Sequence, residues 1–392
     1  MADSPVKILL WSPRGSGEHY NGPASFTYRL YSSAPAGRVR VTLAHGFPDQ
    51  ATYPLFTSQH YVSNLGASPI QLMQFIWQGY RWLDAHVNEF DVMHSISAYH
   101  QSVLPSVRAQ RSGLPSVVFV SNHHTQLGDK SGLKSLLGLA RRRRLLVKEL
   151  AGLIAMTQAI YEELRGYGIP EEKIARIPIG VNTDVFYPPG SNDERRTLRH
   201  ELGWLDLPTV IFVGTTVRRK QPHLLIEAIG LLKRRGLDCQ LVIAGPDGDP
   251  PYTIHMKRRA VELNVAKQVV WFGFTRDIAP LFRASDFFSL PSSNEGMSAA
   301  LIEALASGLP AIVTPISGSV DAVVDGVNGR LVQPDAQQIE DVLAEYIVNQ
   351  RSLDDQRREA RERVERQFSN RYVFAAYERL FRRIMAGGPA AE

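Results

Sequence analysis

The stretch Ser292-Ser293-Asn294-Glu295-Gly296-Met297-Ser298-Ala299-Ala300-Leu301-Ile302-Glu303-Ala304-Leu305-Ala306-Ser307-Gly308-Leu309-Pro310-Ala311-Ile312-Val313-Thr314 decides how this chain is read. An apolar run, Asp286 to Pro291, precedes it, so the order is strand, loop, helix, strand. Glu295 and Gly296 fall on the loop, and the helix opens on the small residues Ser298, Ala299 and Ala300. The first N–H groups of a helix have no intrahelical partner, and the macrodipole adds partial positive charge there. With Gly296, Met297, Ser298 and Ala299 around it, that end suits a diphosphate. Glu303, further along the helix, offers two acceptor oxygens and no donor, which matches a ribose diol. Glu295 is placed to hold sugar hydroxyls.

Two glutamates eight positions apart prove little alone: with 20 Glu in 392 residues, about one such pair is expected by chance. The surrounding residues supply the specificity. Glu295-x7-Glu303 is followed by Ala304-x-Ala306-x-Gly308-x-Pro310, and this run resembles the donor motif of the retaining GT-B glycosyltransferases of family 4. The resemblance implies two doubly wound Rossmann-like domains facing a cleft. It also implies a nucleotide-diphospho-sugar donor in the C-terminal domain and an acceptor mainly in the N-terminal one.

The rest of the chain agrees with an α/β architecture. Short apolar runs alternate with helical patterns: Val6 to Trp11, Val39 to His45, Phe90 to Ile96, Ser116 to Val120, Leu153 to Met156 and Ile174 to Pro178. The rhythm repeats with Val210 to Val213, Leu241 to Ala244, Val269 to Phe272, Phe287 to Leu290 and Ala311 to Val313. Continuous apolar strands separated by helices mean parallel sheets covered on both faces, and two series mean two domains. The breaker cluster Tyr187-Pro188-Pro189-Gly190 places the boundary after residue 187. Just before it, Ile177-Pro178-Ile179-Gly180-Val181-Asn182 resembles the family's interdomain signature, with Ile179 and Asn182 in place of the usual Asn and Asp. The expected domains are 1–187 and 188–370, with a closing helix in 371–392 returning to the first, as in the family.

Composition excludes other classes. The chain is 44% hydrophobic and 21% charged, which is that of a globular protein and not of a disordered or membrane-spanning one. No apolar run approaches the roughly 18 residues of a membrane span, and Asp3 stands where a signal peptide would be basic. A cytoplasmic location follows as an expectation, with peripheral contact at the inner face of the membrane as a further one. The single cysteine, Cys239, lies in an apolar strand and reads as a buried thiol.

Three other segments carry candidate chemistry. After the strand ending at Val213 comes Gly214-Thr215-Thr216-Val217-Arg218-Arg219-Lys220. Relatives grip the donor diphosphate with an arginine and a lysine here. Lys220 matches the lysine, but Thr215 stands at the arginine position, so Arg218 or Arg219 takes that role or the site runs with less positive charge. The loop after the first strand, ending in Gly22-Pro23, resembles one that contacts ligand in relatives, which makes Gly22 a candidate. Ser121-Asn122-His123-His124 follows the strand ending at Val120, at a carboxyl edge where doubly wound sheets bind ligands. Resemblance makes His123 the first choice for touching the transferred sugar, with His124 the second.

In relatives the base is held largely by backbone, and the resemblance places those contacts near Gly245, Pro246 and Phe274. The catalytic set is then His123, Lys220 and Glu295. Family resemblance implies retention of anomeric configuration, with leaving-group phosphate assisting attack on the same face. No metal and no other cofactor are expected, since protein cations meet the diphosphate. Arg141-Arg142-Arg143-Arg144 reads equally as a solvated helical face or as an interfacial helix for anionic lipid, with nucleic acid disfavoured because no aromatic-basic interleaving accompanies it. The expected acceptor is a hydroxyl of a glycan, a lipid-linked sugar or a small molecule. The alternatives are a hydrolase or epimerase of nucleotide sugars, or a noncatalytic sugar-binding homologue. A nicotinamide dehydrogenase is disfavoured because Gly-x-Gly-x-x-Gly is absent.

Overall fold

A computed structural model describes residues 4–17, 22–66, 68–121, 127–128 and 139–391. The chain divides into two compact units, residues 1–180 with 370–392 and residues 181–369.

The first unit is built on a seven-stranded sheet: β1 Val6–Ser12, β2 Val39–His45, β3 Phe56–Tyr61, β4 Val92–Ile96, β5 Ser116–Val120, β6 Gly152–Ala155 and β7 Ile174–Arg176. The order is β3-β2-β1-β4-β5-β6-β7, and every pairing is parallel. Parallel strands need both faces covered, and β4 and β5 are accordingly buried throughout. On one face Trp11 and Phe75 pack with ring centroids 5.6 Å apart, together with Leu83, Met93 and Leu114. On the other face the helix Asn370–Met385 lays down Val373, Phe374, Tyr377, Leu380, Phe381 and Ile384, spaced to form one stripe. Each such side chain contributes roughly 1.5–3 kcal/mol when withdrawn from water. That stripe is why the last helix belongs to the first unit and the unit is discontinuous in sequence.

The second unit carries a six-stranded parallel sheet: β8 Thr209–Val213, β9 Gln240–Ala244, β10 Val269–Gly273, β11 Phe287–Leu290, β12 Ala311–Val313 and β13 Gly329–Leu331. Its order is β10-β9-β8-β11-β12-β13. The core includes Phe212, Phe287, Phe288 and Tyr346, with Phe287 stacked on Tyr346 at 5.5 Å. Cys239 is buried, and burial pushes its thiol well above the ordinary range, in keeping with a packing role. Among the described residues no helix is long and apolar enough to cross a membrane.

Two features depart from the sequence reading. The units part between Gly180 and Val181, seven residues before the breaker cluster, because Val181 already donates its N–H to Phe368 O at 2.8 Å and bridges Ser369. Arg361 then ties down the carbonyls of Thr183 and Phe186, so residues 181–187 belong with the second unit. The sheets also hold two strands absent from that reading, β3 and β13. β3 is an edge strand of mixed polarity, Phe-Thr-Ser-Gln-His-Tyr, and β13 is three residues long; neither makes a continuous apolar run.

Candidate functional site

The order of the second sheet reverses between β8 and β11, since β8 leads to β9 on one side and β11 to β12 on the other. Loops leaving two such neighbours diverge and leave a crevice at the carboxyl ends, where open α/β sheets bind ligands. Both motif segments end there.

From β8 the chain passes through Gly214 into a single 3₁₀ turn, Arg218–Lys220, before the helix His223–Arg234. The strand ends stay closely packed beyond the sheet. Gly214 N–H donates to Ala244 O at 2.8 Å, and Gly245 N–H to Gly273 O at 2.7 Å. A Cβ on Gly245 would fall 2.2 Å from Gly214 O, so the two loops approach only because that residue has no side chain. A Cβ on Gly214 would fall 2.6 Å from Lys220 Nζ, which places the ammonium directly over the glycine backbone.

From β11 the chain reaches Glu295, whose side chain is 15% exposed. Arg219 Nη1 lies 2.8 Å and Lys220 Nζ 3.2 Å from its Oε1. Neither contact has the alignment of a hydrogen bond, and Oε1 is itself closed to solvent, so charge alone holds that oxygen between the two cations. Arg219 clamps the two loops further: it donates to Asn294 O, and its own carbonyl accepts from the Ser293 N–H at 2.9 Å and the Ser293 hydroxyl at 3.1 Å. Two cations against one carboxylate leave a net positive corner. The helix Ala299–Ala306 adds its start to it, with Ser298 Oγ taking the Leu301 N–H and leaving Ala299 and Ala300 as first-turn donors. Glu303 is buried on this helix at 8% exposure.

The two arginines that the sequence left as alternatives face different partners. Arg218 turns the other way, with its guanidinium 5.1 Å from the Tyr252 ring centroid and 3.4 Å from Asp249. Tyr252 in turn bonds His223 Nδ1 at 2.6 Å, and burial holds His223 below its ordinary pKa. Arg218 therefore braces the loop against the helix Pro250–Glu262, while Arg219 faces Glu295.

Several predicted residues take more modest places. Met297 is buried at 8% exposure, so its side chain packs and only its backbone is offered to a ligand. Phe274 follows Gly273 and is 69% exposed. Gly22 lies in the first unit, at the N-cap of the helix Pro23–Ser32 with φ 60°. His123 and His124 lie outside the described residues. The four arginines do not share a face. Arg141 and Arg142 are exposed, Arg143 is buried with Nη1 3.4 Å from His100 Nδ1, and Arg144 stacks 4.7 Å from the Tyr167 ring centroid. Consecutive helix residues point about 100° apart, which is why a run in sequence is not a patch. Among the described residues no three His, Cys, Asp or Glu side chains converge as a metal site.

Sequence reasoning missed Gly318 and Thr314. Gly318 has φ 76°, and a Cβ there would meet Gly296 O at 2.2 Å and Met297 Cα at 2.6 Å; it forms the floor of the Glu295 loop. Thr314 Oγ1 donates to Ser292 O at 2.5 Å from the end of β12. A glycine between two serines just after a strand, Ser317-Gly318-Ser319, was the available signal.

Comparison with known proteins gives two family matches. Residues 194–363 match the profile described as Glycosyl transferases group 1, and residues 20–185 match Glycosyltransferase Family 4. The chain is 33% identical over 187 residues to a D-inositol 3-phosphate glycosyltransferase of Xylanimonas cellulosilytica, covering 46% of this chain and 44% of that relative. It is 26% identical over 340 residues to the putative glycosyltransferase EpsF of Bacillus subtilis, covering 85% of each. In fold it is similar to Anabaena HepE, solved with UDP and glucose, at a TM-score of 0.77 and 17% identity over 95% of this chain and 98% of that one.

Proposed function

We propose that this chain, which belongs to the group 1 glycosyltransferases of family 4 and has their GT-B fold, moves a sugar from a nucleotide-diphospho-sugar to an acceptor hydroxyl. One observation carries the reading: Arg219, Lys220 and Glu295 converge from two loops at the switch point of the second sheet. Lys220, with Arg219 beside it, meets the charge that grows on the departing diphosphate, where a preorganised cation is worth most. Ala299 and Ala300 present N–H groups to the same phosphates. Glu303 accepts from the ribose diol, and Glu295 holds hydroxyls of the transferred sugar while its charge orients both cations. Gly245 and Phe274 border the base.

Transfer with retention of configuration follows from the family, with the leaving phosphate assisting attack on the same face and no metal needed. His123 and Gly22 are the first unit's proposed contributions. For a lipid-linked acceptor, the exposed Arg141 and Arg142 offer two cations to an anionic surface, roughly 1 kcal/mol each, half of what four would bring.

A thermal-shift screen of UDP-, GDP- and ADP-sugars tests the reading, since a ligand at 100 times its dissociation constant stabilises a fold by about 2.7 kcal/mol. Stabilisation by one donor, lost in Glu303→Ala, is the expected result. Turnover of that donor at the same rate with and without acceptors, releasing free sugar, would make the protein a hydrolase instead.

A further inference from the structure

The helix Pro69–His86 of the first unit is apolar on the face it turns to solvent. Its inner face is packed, with Phe75, Gly79 and Leu83 buried. Gly79 lets the helix lie close on β1, since a Cβ there would fall 2.8 Å from the Trp11 ring, and a capping box of Ser68 with Gln71 fixes the start. On the other side Ile70 is 69%, Met73 71% and Trp77 57% exposed. At about 100° per residue these three and Arg81 fall within an arc of roughly 80°, and the Arg81 guanidinium lies 5.0 Å from the Trp77 ring centroid. From Pro69 to Tyr80 there is no Asp, Glu, Lys, Arg or His. A surface helix ordinarily puts its charges on this side, so an uncharged stripe of large apolar side chains marks a contact.

Three side chains are too few for a second copy of the chain, because a stable interface takes roughly 20–30 residues a side, and the stripe is bordered by the exposed polar residues Ser68, Gln74 and Gln78. They suffice for a lipid surface, which apolar side chains enter one by one and where tryptophan prefers the headgroup level. Charge agrees with that occupant. The first unit holds 22 of the 44 Lys and Arg but only 14 of the 39 Asp and Glu, an excess of eight cations, whereas the second unit has an excess of three anions. A basic body is drawn to an anionic bilayer, and the uncharged stripe is the part of it that enters at least cost.

We propose that the Ile70, Met73 and Trp77 face of this helix inserts into the headgroup layer of an anionic bilayer. Arg81, at the end of the stripe, keeps its charge at the lipid phosphates while Trp77 lies deeper. The contact uses residues other than Arg141 and Arg142 and requires nothing of the transfer reaction.

The test is flotation of the full chain with vesicles of phosphatidylglycerol and phosphatidylcholine, with circular dichroism confirming each fold. Wild type should float, and the variant combining Ile70→Gln, Met73→Gln and Trp77→Gln should partition at least tenfold more weakly. Trp77→Phe should still float but should lose the part of the tryptophan fluorescence that brominated lipid quenches. Donor stabilisation in the thermal-shift screen should be the same in all three proteins, so a failure here leaves the transfer reading standing. No flotation of wild type, equal flotation of the triple variant, or loss on replacing Arg141 and Arg142 but not in the triple variant overturns the proposal. A dimer in sedimentation velocity that the triple variant abolishes would also overturn it, by assigning the face to a second copy.

Discussion

Lys220 Nζ stands 3.2 Å from Glu295 Oε1, with the backbone of Gly214 directly beneath the ammonium. The side chain is only 14% exposed, so it is positioned before any ligand arrives. A cation that meets charge developing on a leaving phosphate raises turnover more than affinity, because it binds the transition state more strongly than the ground state. Lys220→Ala should therefore lower kcat by two to three orders of magnitude, by analogy with other preorganised electrostatic contacts, and change donor Kd far less. Steady-state kinetics with direct donor titration measure both; an unchanged kcat would remove the lysine from this role.

Arg219 and Arg218 are adjacent yet face different partners. Arg219→Gln should cost donor turnover about ten- to a hundredfold, in keeping with the roughly 1.5–3 kcal/mol of a charged hydrogen bond, because it removes a cation at Glu295 and loosens the two loops. Arg218→Gln should leave turnover within twofold and lower thermal stability slightly, since an exposed pair with Asp249 is worth little. The reverse ranking would contradict the assignment.

Gly318→Ala tests the floor of the Glu295 loop. The added Cβ meets Gly296 O at 2.2 Å, backbone that has no rotamer to escape through, and φ 76° is itself unfavourable for alanine. The strain is on the order of 1–3 kcal/mol. Donor affinity and Tm should fall together, although residue 318 offers no side chain to a ligand. A variant with wild-type affinity would show that the loop does not depend on this contact.

Activity should persist in EDTA if, as proposed, Arg219, Lys220 and the start of the helix Ala299–Ala306 meet the diphosphate, since all three place positive charge at this crevice. Loss on chelation with recovery on adding Mg²⁺ or Mn²⁺ would show that these groups do not suffice.

His94 in β4 is fully buried beside Tyr31 and Tyr377, and burial lowers its pKa from 6.5 to about 3. Between those values the unfolded chain binds a proton that the folded chain refuses, so stability is full above pH 6.5 and is lost as pH falls. The contribution is about 1.4 kcal/mol between roughly pH 7.5 and 5.5. Burial lowers His45, His60 and His100 as well, so the wild type should lose more than this. Denaturant unfolding should show His94→Gln losing about 1.4 kcal/mol less than wild type over that interval, and an equal loss would show that His94 is protonated in the folded protein.

Eleven of the strands were readable because a parallel strand buried on both faces must be a continuous apolar run, and that requirement is local. The Glu295-to-Pro310 motif was readable for a similar reason: its loop, helix start and acceptors lie within one strand–loop–helix unit. Glu303 and Ser298 accordingly stand on the expected helix. β3 and β13 were not readable, because an edge strand is specified by the neighbour that pairs with it, here β2 and β12. Nor was the boundary at Gly180, which depends on Val181 meeting Phe368, nearly two hundred residues away. The sequence by itself determined which residue types arrive at the carboxyl ends of β8 and β11. Only the tertiary structure decided that Arg219 faces Glu295 while Arg218 faces Tyr252, that Gly318 supports the Glu295 loop, and that four consecutive arginines are divided between solvent and interior. Those outcomes depend on which surfaces exclude water and which charges remain at short range, and both are set by contacts between segments far apart in the chain.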